Sequence, residues 1–267
     1  NIQLTVQTSG GGTENFSRVA AGDAHFGVLY SPNIEAAKAG EGNEADKVNE
    51  MKGIFAWDYA AYSLIVKADS GIKKVEDLKG KSIAVGAPGS TGSVFIWPSV
   101  LPEFGITEKN SKWKYLSQSA AATALADGSV DAITVGTKGK ISSVEELALS
   151  HDLLWLDLGG KNRDSALDKG YGMYAVEGDH NVYGDAQVND KPVPTVGMSA
   201  VFAVREDVDE DVVYKITKSV FENLETFHKS HSSAKEVTVE STLNPEFMVL
   251  DLHPGAEKYF KEIGAIK

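Results

Sequence analysis

The segments "FSRVAAGDAHFGVLY" (residues 16–30) and "ATALADGSVDAITVG" (residues 122–136) share one pattern: a small alanine-rich helix, a glycine turn, an acidic or histidine residue, then a buried strand. No gapless identity relates them, but the same supersecondary unit occurs twice, and two similar α/β lobes are the simplest reading. Upstream of the first copy, "NIQLTVQT" (residues 1–8) alternates apolar and polar side chains as a half-buried strand does. "SGGGTENF" then turns into a helix reaching about Ala21, with Thr13 as N-cap and Glu14 in the first turn.

Between the copies, residues 38–50 are polar and read as loop or exposed helix end, and "YSLIVKADSG" (62–71) reads as a strand. "KKVEDLKGKSIAVG" adds a short helix and the strand that feeds "VGAPGSTGSVFIWP" (85–98). After the second copy come the strand "LLWLDLG", a Gly- and Asp-rich loop over 177–194 and the long strand "TVGMSAVFAVRED". The closing helix carries an apolar face at Val213, Ile216, Val220, Phe221, Leu224 and Phe227. If the strands near 62–68 and 196–204 pair, they form a hinge, and a ligand sits in the cleft where strand ends and helix N-termini of both lobes meet.

The chain's 267 residues, 42% of them hydrophobic, suffice for two lobes with full cores. A formal net charge of −12 argues against nucleic acid or anionic lipid as a partner. Only Arg18, Arg163 and Arg205 are arginines, so a fork-shaped clamp for an anion has few candidates. Cysteine is absent, which removes disulfides, thiolate metal sites and cysteine nucleophiles. No apolar run approaches the roughly 20 residues needed to cross a bilayer. The chain opens at Asn1 rather than Met, and processing, for instance loss of a signal peptide, is expected.

The turn over residues 86–93 lacks the lysine of a P-loop and the spacing of a dinucleotide fingerprint. It leaves a helix N-terminus with free N–H groups and the hydroxyls of Ser90, Thr91 and Ser93 around Gly92, which suits a small anion such as a carboxylate; a plain N-cap explains it equally well. Gly11, Gly12 and Thr13 have the same logic and the same alternative. At the end of the second copy, Gly136, Thr137, Lys138 and Lys140 form a third candidate, with Thr137 weighted above the lysines. Trp57, Tyr59, Trp97, Tyr171 and Tyr183 are candidates to cover a ligand, Trp57 and Trp97 foremost, against core packing as the commoner role. His228 and His231 are spaced to share a metal but sit in a polar patch and read as exposed. No nucleophile elbow, zinc helix or convincing carboxylate pair points to catalysis, and no cofactor or metal is expected.

Five segments in order, "QTSGGGTENFSRVAAGDAHFGVLYSPN", "YSLIVKADSGIKKVEDLKGKSIAVGAPGSTGS", "ALADGSVDAITVG", "PTVGMSAVFAVREDVDEDVVYKITKSVFENL" and "LHPGAEKYFKEIG", resemble the TAXI family of TRAP-transporter-associated extracytoplasmic solute receptors. The resemblance implies an α/β, two-lobed periplasmic binding protein fold of the type II kind, each lobe a doubly wound sheet with flanking helices, joined by two hinge strands. Residues 1–66 with 200–267 would form lobe I, and 67–199 lobe II. It implies a periplasmic, monomeric receptor that binds glutamate, glutamine or a dicarboxylate and delivers it to the membrane permease subunits of a TRAP transporter. Ligand contacts carry over to Thr13 with its preceding glycines, Ser31, Asn33, Ser90, Thr91, Gly92, Ser93, Gly136 and Thr137, and Tyr183 falls in the family's Tyr-containing loop.

Two departures qualify this. Tyr30-Ser31-Pro32-Asn33 stands where many relatives carry a carboxylate, which favours a ligand without an amine. Relatives also begin with an additional strand, Gly-rich turn and helix, so lobe I is expected to lack that unit, together with its ligand contacts. An enzyme on a bilobed fold, or a ligand-sensing regulatory domain, are the rival readings; the first needs a reactive pair and the second a DNA-binding helix pair or basic patch, and neither is found.

Overall fold

A computed structural model describes residues 2–42, 45–230 and 232–267. In chain order the elements are α1 (Gly12–Ala21), β1 (Phe26–Tyr30), α2 (Ser31–Lys38), β2 (Met51–Lys67), β3 (Ser82–Ala84), α3 (Trp97–Val100), β4 (Lys112–Lys114), α4 (Gln118–Ala126), β5 (Ala132–Thr137) and α5 (Ser142–Ala148). There follow β6 (Leu153–Trp155), α6 (Lys161–Lys169), β7 (Met173–Gly178), β8 (Val193–Arg205), α7 (Glu210–Glu222), α8 (Leu224–Ser230), α9 (Val239–Leu243) and α10 (Pro254–Glu262). The protein is α/β with a mixed sheet, and it divides into two units: Asn1–Tyr59 with Met198–Lys267, and Ala60–Gly197. The divisions fall inside β2 and β8, which are neighbours in the sheet, at 59/60 and 197/198 rather than the expected 66/67 and 199/200. Among the described residues no helix is long and apolar enough to cross a membrane.

In the first unit β1 pairs antiparallel with β8, from Phe26↔Val204 to Tyr30↔Ala200. Alternation along the strands sorts the core onto the two faces. Phe16, Val19, Leu29, Ile34, Val201 and Ala203 cluster with α1 and α2. Phe55, Trp57, Val213, Phe221, Tyr259 and Phe260 cluster with α7 and α10. The apolar face expected on the closing helix is there, but the helix breaks at Asn223 into α7 and α8. Residues 2–9 form no strand and lie exposed, against the strand expected over 1–8; they pair with no described strand.

In the second unit β2 pairs antiparallel with β5 (Tyr62↔Gly136) and with β6, while β3 runs parallel to β4 and β5. Asp131 accepts from both Ser82 N–H and Ser82 Oγ at 2.8 Å, tying the start of β5 to that of β3. The repeated unit of the sequence holds in both places. Gly22 (φ 79°) and Gly128 (φ 77°) each end a helix in the left-handed region, donating to the Val19 and Leu125 carbonyls, and β1 or β5 follows within a few residues. β2 begins at Met51, eleven residues before the strand read from the sequence, because residues 53–57 carry no polar side chain, are buried toward both faces and show no alternation.

"LHPGAEKYFKEIG", the segment without a reading from pattern alone, is a helix start fixed on three sides. His253 N–H donates to the Gly53 carbonyl at 2.9 Å, and its Nδ1 accepts from Gly255 N–H at 3.1 Å, capping α10 from a side chain 1% exposed. Pro254 takes the first helical turn, where no N–H is needed. A Cβ on Gly255 would stand 2.3 Å from the Glu210 carbonyl and 2.7 Å from Tyr214 N, so α10 meets α7 with no room for a side chain. Gly255→Ala should therefore lower stability by about 2 kcal/mol, the usual cost of overpacking, read as a fall in urea midpoint at unchanged slope.

The His253 cap also makes stability depend on pH. With Nδ1 accepting, the imidazole is neutral, and burial pushes its pKa below the usual 6.5, with the backbone at Val208 and Glu206 opposing in part. A group depressed in the folded state is protonated first in the unfolded chain, so stability is intact above about pH 6.5 and falls as pH drops below it. His253→Asn keeps a capping oxygen that does not titrate. Melting curves from pH 8 to 5 should show the wild type losing more stability than this variant below about pH 6.5; parallel losses would sink the assignment.

Candidate functional site

The first unit brings together two stretches named from the sequence. Gly11, with φ 128°, precedes α1, and no side chain caps the helix. Thr13 is thus inside the first turn rather than the N-cap expected of it. The first-turn N–H groups of Gly12 and Thr13 have no intrahelical acceptor. The Thr13 hydroxyl accepts from Asn33 Nδ2 at 3.1 Å, and Asn33, on α2, is 5% exposed. Glu14 turns back to accept from Gly10 N–H at 2.6 Å and pairs with Arg18, and these two donors, the backbone one first, lower its pKa.

Ser31 is fully buried, and its hydroxyl accepts from Ser199 N–H at 3.0 Å, fastening α2 to β8. Tyr30 and Tyr59 lie 4.8 Å apart between ring centroids, and Trp57 meets Tyr59 edge-on at 6.4 Å. Trp57 is buried in the core cluster beside α7 and α10, so packing accounts for it. Its indole N–H meets no hydrogen-bond partner.

In the second unit the turn over 86–93 is built largely for itself. Ser90 Oγ accepts from Ser93 N–H at 3.2 Å, and Val94 N–H bonds the Ser90 carbonyl, so Ser90 is the N-cap of the helical run that begins at Thr91. Ser93 Oγ donates to the Ala87 carbonyl at 2.7 Å. Thr91 and Ser93 are buried.

Gly92 and Gly136 have a common reason that the sequence reading missed. A Cβ on Gly136 would stand 2.6 Å from the Tyr62 ring and one on Gly92 3.1 Å from it, so the ring occupies the space both leave open. Trp97, fully buried, closes the ring's edge at 6.2 Å, which makes it core rather than a ligand cover. The available signal was an aromatic residue at the strand position that opposes a glycine.

The remaining candidates scatter within this unit. Thr137 Oγ1 donates to the Lys138 carbonyl, and Lys140 pairs with Glu145 at 3.0 Å. Tyr183 stacks on Trp155 at 5.5 Å and its hydroxyl accepts from Ile141 N–H at 2.9 Å, holding the start of α5; burial first, then Glu145, raises its pKa. Tyr171 is partly buried. His228, expected to be exposed, is partly buried, with Nε2 2.8 Å from the Val237 carbonyl, and His231 lies outside the described residues. No group of three or more His, Asp or Glu that could hold a metal occurs among the described residues.

Two cavities are lined by other residues. One of about 500 Å³ in the second unit lies against Glu76, Phe104, Asp157 and residues 159–162 at the start of α6. The other, about 310 Å³ in the first unit, is lined by Glu35, Lys38, Met51, Met248 and Asp251 among others.

A family model described as NMT1-like matches residues 1–264. The chain belongs to the NMT1-like family. Among solved structures it is similar to the alkanesulfonate-binding protein SsuA of Xanthomonas axonopodis pv. citri bound to MOPS, with 16% identity over 94% of this chain and 70% of that one, at a TM-score of 0.47. It is also similar to the chloride-bound XAC2383 of Xanthomonas citri, with 11% identity over 93% and 78% of the two chains and a TM-score of 0.49.

The geometry of the turn makes Ser90→Ala a test of capping. Loss of that acceptor should cost about 1 kcal/mol, whereas Ser90→Gly should cost only a few tenths, both read from denaturant midpoints. Equal midpoints for wild type and Ser90→Ala would remove the cap from the account.

Proposed function

We propose that this NMT1-like protein is an extracytoplasmic solute-binding receptor of the TAXI type, which binds a small carboxylate and delivers it to the permease subunits of a TRAP transporter. The observation that carries the reading is the Thr13–Asn33 pair at the uncapped start of α1. A helix N-terminus with two unspent N–H groups, a hydroxyl and an adjoining amide presents neutral donors and a favourable dipole to a carboxylate. The stretch over 30–33 contributes no carboxylate to greet an amine, which favours a dicarboxylate over an amino acid. Ser90, Thr91 and Ser93 form a second group of hydroxyls at a helix start, though their bonds are mostly internal to the turn. Family membership and the ordered TAXI-like segments support the same reading.

The test is a thermal-shift screen of the protein, stripped of co-purified solute, against succinate, 2-oxoglutarate, L-glutamate and L-glutamine. Saturation at ~100 times the dissociation constant should add about 2.7 kcal/mol of stability. Thr13→Val combined with Asn33→Ala should weaken the bound solute by at least about tenfold, a loss of ~1.4 kcal/mol. Binding that survives the double variant would move the site away from α1, and the absence of any shift would remove the carboxylate.

A further inference from the structure

In the first unit one residue both leaves a strand and opens a helix. β1 ends at Tyr30 and α2 begins at Ser31, with no loop between them. The His25 carbonyl accepts from Arg205 N–H at 3.1 Å, and Gly27↔Ala203 and Leu29↔Val201 continue that phase, so residues 25, 27 and 29 turn their backbone groups toward β8. The next rung in the same phase is residue 31 with Ser199. There the Ser199 N–H is met by the Ser31 hydroxyl, at 3.0 Å, in place of a backbone carbonyl. Ser31 is the first residue of α2, so its own carbonyl points along the helix toward the N–H four residues on.

The local sequence favours a different path. A residue before proline is pushed from helical toward extended backbone, and Pro32 follows Ser31 directly. An extended Ser31 would offer its carbonyl to Ser199, and β1 would gain a rung by unwinding the first turn of α2. Ser31 and Ser199 are both fully buried, so the Ser199 N–H has no recourse to water and must be met by one oxygen or the other. Ser199 is held on its other side as well, its hydroxyl donating to the Phe247 carbonyl at 2.8 Å. Asn33 lies in the turn at stake, and from there it donates to Thr13.

We propose that Ser31 is a positioning residue for the α1 site: by taking the Ser199 N–H on its hydroxyl it keeps the first turn of α2 wound, and so holds Asn33 against Thr13. The hydroxyl stands in for the ladder carbonyl, which frees the backbone to turn at once into the helix. Its removal makes the extended form of residue 31 the one that satisfies Ser199, and Asn33 is then carried away from Thr13. This rests on the reading of Thr13 and Asn33 as solute contacts, and it gives Ser31 a role through Asn33 in place of the direct ligand contact expected from the sequence.

The side-chain amide of Asn33 reports the positioning directly in amide NMR spectra, its signal assigned by its loss in Asn33→Ala. Ser31→Ala and Thr13→Val should both move that signal toward the position of a free asparagine. Gly255→Ala, which loosens the same unit at the contact of α10 with α7, should leave it in place. Ser31→Cys keeps a side chain of similar size with a weak acceptor and should move the signal less; it serves where the alanine variant does not fold. For a carboxylate that shifts the melting curve, Ser31→Ala should weaken binding at least about tenfold and Gly255→Ala should not. An Asn33 signal unmoved by Ser31→Ala overturns the proposal, and so does one moved as far by Gly255→Ala. A signal that moves as expected in a protein that binds none of the carboxylates upholds what Ser31 does for Asn33 and overturns the receptor reading alone.

Discussion

The backbone of β8 cannot reach water. Val193–Arg205 is buried along almost its whole length, and β2 is nearly as deep, so their N–H and C=O groups need partners inside the protein, supplied by the sheet and at Ser199 by the Ser31 hydroxyl. That demand orders the strands around it. β1 lies along β8 from Ala200 to Val204, β7 pairs with β8 as well, and β2 is its other neighbour. Close approach along these strands is obtained with glycine: a Cβ at Gly53 would strike Met248, and one at Gly197 would strike Val176 and Tyr174. Because the two deepest strands each run from one unit into the other, the chain divides at residues that no loop marks.

How far the sequence could be read follows from this burial. β1 and β5 were legible because a short apolar run follows a helix stopped by a left-handed glycine, and that local grammar does not depend on what packs later. The first half of β2 was not, since a strand covered on both faces loses the alternation that would announce it. Residues 1–8 gave the opposite error. Their alternation is that of a strand, but alternation reports which faces differ and not whether a neighbouring strand exists.

The candidate site was legible in part for a related reason. A glycine- and hydroxyl-rich turn after a strand has two physical uses, and its composition is the same for both. Around α1 the turn leaves N–H groups unspent and brings Thr13 to Asn33. Around residue 90 the hydroxyls are consumed by the turn, and Gly92 with Gly136 serves as a seat for the Tyr62 ring. Only the partner of each glycine distinguishes the cases, and that partner is remote in sequence.

Charge narrows what the α1 site could hold. Within the first unit Arg18 is tied to Glu14 and Gln7 and Arg205 to Asp207; Arg163, in the second unit, has only ion pairs of 3.9 Å to Asp164 and Glu177, and its buried Nε and Nη1 meet no hydrogen-bond partner. A carboxylate bound at α1 would then be held by backbone N–H groups, a hydroxyl and an amide. Such donors cost little to desolvate compared with a lysine or arginine, and they impose direction without adding a full charge. Glu14, in the same first turn, accepts from Gly10 N–H and pairs with Arg18, whose charge offsets the repulsion it would exert on an anionic solute. On the proposed reading, keeping that pair intact would be part of what lets an anion approach the start of α1 in a chain of net charge −12.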